Sequence, residues 1–311
     1  MPWRAGEPVQ STLTAAGPGA QDIVTLTSVL TIGTVLILLG VIALLAYAVV
    51  RGPGPVSTGL WVVGGGVVFP AVVLSALLFH STRMTDALAG AVPPGATRIE
   101  VEGRQWWCEV RYPDSAGDSV AAANEIHLPL GAAELMLTSP DVIHSFWVPN
   151  LGGKVDMVPG RVNRLVLRAD RTGVYRGQCA EYCGTQHAQM ALVVVVDTPQ
   201  AFAAWLLAEA APARAPTTPE GTRGLDAFHV QGCGGCHTIR GTGALGRLGP
   251  DLTHVASRRT LAAGTLANDA AMLRAWIADG HVLKPGNLMP SYRYLEGETL
   301  DALTAYLASL R

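Results

Sequence analysis

The sequence predicts a multi-domain membrane protein in three parts: a two-helix transmembrane hairpin, a β-sandwich and an all-α unit. Three observations carry this. Residues 23–50 and 52–82 contain no Asp, Glu, Lys or Arg, which does not fit a soluble enzyme. Residues 96–197 alternate polar and apolar positions in short runs between Pro- and Gly-bearing turns, the pattern of half-buried strands. Residues 223–311 then read as helices around Gly/Pro-rich loops. A length of 311 residues allows two or three folded units at roughly 100–200 residues each. The net charge of −2 offers neither a nucleic-acid partner nor a polybasic membrane clamp.

Residues 1–22 are polar and lack a basic run leading into a short apolar core, so the first apolar stretch is expected to act as a retained signal-anchor. The hairpin is expected over 23–82. Its first span, 23–50, is about 42 Å long at ~1.5 Å per residue against a hydrocarbon core of about 30 Å, so it tilts or its ends reach the headgroups. Arg51-Gly-Pro-Gly-Pro55 breaks the helix, and 60–79 forms the second span, leaving both ends on one side. Gly64-Gly65-Gly66 and Pro70 suit close helix packing, either within the hairpin or against a partner subunit. Strands are expected at 98–101, 105–112, 125–128, 134–138, 161–168 and 191–196, within a unit spanning 83–207. Turns are expected at Pro113-Asp114, Pro140-Asp141, Pro159-Gly160 and Arg171-Thr-Gly173. A short helix follows at 199–210, and 208–222, rich in Ala, Pro and Thr, reads as a linker. The unit 223–311 ends in an amphipathic helix over 298–310. Residues 81–210 carry −4 and residues 222–311 carry +2, which favours docking of the two.

The chemistry concentrates in two cysteine groups. Of five cysteines, Cys179/Cys183 and Cys233/Cys236 are closely spaced, as metal or cofactor attachment requires and a disulfide framework does not. Cys179-Ala-Glu-Tyr-Cys183-Gly-Thr-Gln-His187-Ala-Gln-Met190, with His144 upstream, offers two thiolates, two imidazoles and a thioether. This soft set selects copper, zinc or iron over magnesium or calcium. A Cys₂His₂ zinc site stays open on spacing, but Met190 favours copper, whose electron-transfer sites take a weak axial Met. Cys108 reads as a small buried hydrophobe.

Cys233-Gly-Gly-Cys236-His237 is the attachment sequence of c-type haem, with a thioether bond from each Cys and the His on iron. A redox dithiol is the alternative, and it has no use for the His. The sixth ligand is expected to be Met289, in the loop Lys284-Pro-Gly-Asn-Leu-Met289-Pro290. Met272 sits in an apolar helical pattern and reads as core, and His229, His254 and His281 read as surface or core residues.

Val142-Ile-His144-Ser-Phe-Trp-Val-Pro149, Lys154-Val-Asp156, Pro159-Gly160-Arg161 and Gln178-Cys-Ala-Glu-Tyr-Cys183-Gly closely resemble subunit II of haem-copper cytochrome c oxidases. With the two N-terminal spans, the resemblance covers about residues 23–200. It implies a cupredoxin-like sandwich and the family's CuA centre, a binuclear copper site bridged by Cys179 and Cys183. His144 and His187 would each hold one copper, with Met190 and the backbone carbonyl of Glu181 as weak outer ligands. It further implies that the Glu181 carboxylate reaches a magnesium ion at the boundary with subunit I. Trp106, in Gln105-Trp106-Trp107, would stand where electrons come in; Cys108 stands where the family more often has an aromatic residue. The last unit resembles class I cytochromes c, in which the Pro250 carbonyl of Gly249-Pro250-Asp251-Leu252 would hold the haem ligand His237.

The resemblance implies subunit II of an aa3/caa3-type cytochrome c oxidase with a fused haem c domain. Electrons would pass from haem c through CuA to the haem a/CuB site of subunit I, which reduces oxygen to water. The implied partners are subunit I, subunit III, the lipid bilayer, and a soluble or membrane cytochrome c or a bc1-type complex as donor. Haem c is attached outside the cytoplasm, so both termini and both metal domains are expected on the periplasmic side of a bacterial-type inner membrane. Two other readings stay open: a CuA/haem c subunit of a nitric oxide reductase, and a free-standing membrane-anchored electron carrier.

Overall fold

The computed structural model describes residues 10–311 except 53, 56, 89–90 and 114–118. The turn at Pro113-Asp114, part of the break after Arg51 and residues 1–9 therefore lie in part or wholly outside the described residues. The helix α1 spans Pro18–Arg51 (34 residues) and ends at Gly52, whose φ of +72° stops it. The second long helix opens as a π-helical run, Gly59–Val68, and continues as α2, Phe69–Leu88. Gly64, Gly65 and Gly66 lie in the wider run, where missing side chains leave the backbone free to adopt it. Both helices are long and apolar enough to cross a membrane. No atom of α1 comes within 4 Å of a Cβ placed on any of these three glycines. Among the described residues, then, these glycines do not pack against α1.

Residues 10–16 strap the start of α1 to the sandwich through the buried Asn150. Its side chain accepts from Ser11 N (3.2 Å) and donates to Thr14 O (2.7 Å), while its carbonyl accepts from Ala16 N (2.7 Å). The first turn of α1 and the sandwich therefore lie at the same end of the hairpin.

The sandwich has two five-stranded sheets. The strands are β1 (Thr97–Arg104), β2 (Trp107–Pro113), β3 (Ser119–Ala123), β4 (Glu125–Pro129), β5 (Gly131–Thr138), β6 (His144–Trp147), β7 (Val155–Met157), β8 (Asn163–Ala169), β9 (Gly173–Cys179) and β10 (Ala191–Asp197). Their orders are β3-β2-β1-β5-β8 and β4-β10-β9-β6-β7, parallel only at β1/β5 and β10/β4. Alternate residues such as Ile99, Val101, Leu135, Leu137, Leu192 and Val194 fill the space between the sheets. The helix α3 (Pro199–Ala210) starts at Thr198, whose hydroxyl caps Ala201 N at 3.3 Å. It lays Phe202 and Trp205 against Tyr112, and Trp205 stacks on His127 at 3.9 Å.

The last unit is built on α4 (Pro219–Val230), α5 (Ala270–Leu283) and α6 (Gly297–Ser309). Helices α4 and α6 cross at Gly224, where a Cβ would lie 2.0 Å from Ala302 O. Phe228, Leu303 and Tyr306 pack around this crossing. Gly224→Val is expected to force the helices apart and to cost about 3 kcal/mol, the upper end for overpacking, because a backbone carbonyl cannot yield like a side chain. A thermal melt of the full chain followed by far-UV circular dichroism checks it. Between α3 and α4 the chain is extended only over 211–217. That stretch is tied to the last unit by Ala213 N to Arg240 O (2.8 Å) and by His254 Nε2, which donates to Ala211 O (2.9 Å).

Candidate metal centre and haem-attachment site

One loop between β9 and β10 carries Cys179, Glu181, Cys183, His187 and Met190, and the neighbouring strand β6 supplies His144 at its first residue. The loop is closed at its base by Cys179 N to Met190 O (2.9 Å) and Ala180 N to Ser145 O (3.0 Å). Cys179 Sγ lies 3.7 Å from Cys183 Sγ, 3.9 Å from His144 Nδ1 and 3.2 Å from Glu181 O. Cys183 Sγ lies 3.7 Å from His187 Nδ1 and 3.9 Å from Met190 Sδ. All six sequence-predicted groups thus converge. His144, Cys179, Cys183 and Met190 are buried and His187 is half-buried. Two ligands about 2.3 Å from a shared ion at the tetrahedral angle stand about 3.8 Å apart, so the spacing fits metal held between neighbouring donors. The donors of His144, Cys179 and Cys183 all lie within 4.8 Å of one another, and His187 falls outside that set.

Asp141, which the sequence offered only as a turn residue, orients His144. Its Oδ1 lies 2.8 Å from His144 Nε2, and its carboxylate also accepts from the backbone N–H groups of Val142 (2.6 Å) and Gln105 (2.7 Å). With Nε2 donating to Asp141, the Nδ1 lone pair of His144 faces the thiols. Burial opposes charge on both groups, yet the hydrogen bonds win: Asp141 is held below, and His144 above, its ordinary pKa. The contact between the two sulfurs, against burial, holds the Cys179 thiol well below the ordinary thiol range.

Trp106 sits in the turn between β1 and β2, not within a strand as its sequence context predicts. Its indole Nε1 donates to Cys183 O at 3.0 Å, and Gln105 Nε2 donates to the same carbonyl at 2.8 Å. Cys108 is buried beneath them and its thiol is pushed up to about 12 by that burial, as suits a small core residue.

In the last unit α4 runs into Gly232, which is left-handed at φ +70°, and then into a tight turn over Cys233–Gly235. His237 N donates to Cys233 O (3.0 Å), which keeps both cysteines and the histidine on one compact turn. His237 Nδ1 donates to Pro250 O at 2.7 Å, so Nε2 carries the free lone pair. A Cβ on Gly249 would lie 2.4 Å from His237 Cε1, so only glycine fits against the ring. Burial lowers the His237 pKa and keeps the ring neutral, the form that binds metal. Met289 is half-buried in a loop pinned by Asn287 Oδ1 to Met289 N (3.0 Å) and by His281 Nε2, which donates to Met289 O (2.9 Å). Met272 instead packs on the helical core. Leu245 and Leu248, between His237 and Pro250, and Leu288, beside Met289, are 73–75% exposed. This is apolar surface that a flat apolar macrocycle would cover, so the residues fit a haem.

The family model described as cytochrome c oxidase subunit II, periplasmic domain, matches residues 116–197. The one described as cytochrome c matches residues 222–311. Cytochrome c oxidase subunit 2 of Alkalihalophilus pseudofirmus is 39% identical over 214 residues, 68% of this chain and 61% of that protein. Cytochrome c oxidase subunit 2 of Candida albicans is 33% identical over 185 residues, 52% of this chain and 68% of that protein. The crystal structure of the periplasmic domain of subunit II of cytochrome oxidase from Bradyrhizobium japonicum is 32% identical, with a TM-score of 0.36, over 38% of this chain and 96% of that one. The chain spans about six-tenths of the first of these relatives. With over two-thirds of the fungal relative covered at 33% identity, and a cytochrome c match following the subunit II match along the sequence, the chain belongs to the cytochrome c oxidase subunit 2 family, with a cytochrome c domain at its C-terminal end.

Proposed function

We propose that the chain is the electron-transfer subunit of a respiratory cytochrome c oxidase: it takes electrons at haem c and passes them through a binuclear copper centre to a haem-copper site in a partner subunit, where oxygen is reduced to water. The observation that carries the copper assignment is the placement of the two histidines. His187 Nδ1 meets Cys183, while His144 stands with Cys179 and Cys183 in a cluster that does not take in His187. One tetrahedral ion needs all four donors around a single point, whereas two ions sharing both sulfurs need this split. Two copper ions with shared thiolates would supply a one-electron relay whose bond lengths change little, and the covalent haem would supply its donor.

The chain's own residues do the rest. Asp141 fixes the His144 ring, and burial of the sulfur ligands keeps water from reorganising around the site. The indole of Trp106, bonded to the carbonyl of the bridging residue Cys183, gives electrons a short bonded way in. Pro250 holds His237 in the tautomer that leaves Nε2 free, and His237 and Met289 would hold the haem iron. The Glu181 carboxylate lies 3.2 Å from Lys154 Nζ. One carboxylate fills only part of a magnesium shell, so Glu181 would hold that ion together with groups of the partner subunit. Because haem c is attached outside the cytoplasm, both domains face that side, and Arg51 faces the cytoplasm.

Metal analysis and spectra of the copper-loaded full chain test this reading. Two coppers per chain are expected, with a near-infrared band and EPR hyperfine structure from one electron shared over both. One zinc per chain and no such band overturns it. Asp141→Ala is expected to keep both coppers but to weaken their binding by about 10–100-fold, the usual cost of removing a residue that orients a ligand, as measured by competition with a chelator.

A further inference from the structure

The haem domain does not hang from its connection; it is seated on the copper domain. Gln186, buried beside His187, donates through Nε2 to Pro285 O (3.0 Å) and Lys284 O (3.3 Å). A Cβ on Gly286 would lie 3.2 Å from Thr185 Cγ2, so the turn 284–286 rests on the copper loop itself. Lys284 is 3% exposed, and its ammonium reaches Ala262 O (3.2 Å) on its own domain and Trp106 O (3.4 Å) on the other. Ala262 and Ala263 both have left-handed backbone, φ +51° and +55°, which alanine seldom adopts. The two carbonyls this strained turn presents are both used: Ala262 O by Lys284, and Ala263 O by Ala191 N at 2.9 Å. Farther out, Arg259 N donates to Glu125 Oε2 (2.8 Å), and Arg240 reaches Ala121 O and Glu209 O.

We propose that Lys284 is a latch that holds the haem domain in one docked pose, in which Gln186 joins the Met289 loop to the residue next to the copper ligand His187. Lys284 and Gln186 are then positioning residues for electron transfer. Burying the Lys284 ammonium costs desolvation, which its two carbonyl bonds and the Gln186 bonds of the same seat offset in the docked pose. Any pose that freed it would leave the Trp106 carbonyl without this partner and break both Gln186 bonds. A continuous path of covalent and hydrogen bonds follows from the pose: along the loop from Met289 to Pro285, across to the Gln186 side chain, and along the chain to His187. The role in electron transfer rests on the copper and haem reading above; the pose does not.

The sequence holds only two lysines, Lys154 and Lys284, which makes amine acylation a clean probe. The Lys154 side chain is 48% exposed. Burial pulls the Lys284 amine down to about 8, but a Lys284 released from the seat loses that burial and reacts as an exposed lysine does, so protection reports on the pose. In the detergent-solubilised full chain treated with an acetylating ester and mapped by mass spectrometry, Lys284 is expected to react at least about tenfold more slowly than Lys154. Gln186→Met is expected to remove that protection. Equal labelling of the two lysines in the unsubstituted chain overturns the pose. In the copper- and haem-loaded chain, Lys284→Met is expected to leave the copper near-infrared band and the methionine–iron band in place. It is expected to weaken the docking equilibrium about tenfold, the change that loss of one charge-assisted bond brings, and so to slow flash-initiated transfer from haem c to copper by up to about twofold. A transfer rate equal to the parent's overturns the latch. If the parent chain itself lacks both bands, the copper and haem reading fails, while the acylation pattern still decides the pose.

Discussion

Cys183→Ser is expected to abolish the shared-electron copper signal completely while leaving the haem domain folded and its haem attached. Cys183 stands at the centre of the downstream half of the loop: its sulfur faces Cys179, His187 and Met190, all within 3.7–3.9 Å. A serine hydroxyl is nearly isosteric, so the loop keeps its base bonds and the sandwich its core. What is lost is chemical, because the hydroxyl stays protonated at neutral pH and is too hard a donor to bridge copper. His187 then has no neighbouring sulfur to share an ion with, and at most one copper per chain remains. EPR and copper analysis of the variant check this, with the haem absorption as the internal control. A variant that keeps two coppers and the delocalised hyperfine pattern would remove Cys183 from the bridge.

The proposed ligands were legible in the sequence because metal chemistry demands residue types that few other roles need. Two close cysteines with His187 and Met190 downstream, or Cys-x-x-Cys-His, state their chemistry before any fold is known. Their supports were not legible, because supports are ordinary residues. Asp141 follows Pro140 and reads as a turn; only the folded chain brings its carboxylate to His144. Gln186 and Lys284 lie far apart in sequence and meet only when two domains close on each other. The strands divide in the same way. β4, β5 and β10 carry β-branched or long apolar side chains in clear runs, whereas β3 is Ser-Val-Ala-Ala-Ala, with little strand preference of its own, and β9 is broken by glycine at its first and fifth positions. These two form because neighbours on the sheet pair with them. The stretch expected as a linker over 208–222 is helical at both ends: α3 runs on to Ala210, and Thr218 caps the first turn of α4.

Met289→Ala is expected to keep the haem covalently attached but to remove the thioether–iron charge-transfer band at the red end of the visible spectrum. Attachment depends on Cys233 and Cys236, which lie on a turn that Met289 does not touch through any described hydrogen bond. The loop of Met289 is held by its backbone, through Asn287 and His281, and by the Asn287 amide on Lys284 O (3.0 Å), so truncating the side chain leaves the loop in place. The seat on the copper domain therefore survives, and the variant separates loss of a ligand from loss of docking. Met272→Ala is the opposite case. Its side chain packs on the helical core, so it is expected to lower stability by about 2 kcal/mol, the low end for a methionine only partly buried, and to leave the band untouched. Spectra and thermal melts of the two variants side by side decide between them. A band lost in Met272→Ala and kept in Met289→Ala would move the axial ligand from the pinned loop to α5 and would require α5 to turn its core face toward iron, against the packing around Leu273 and Ile277.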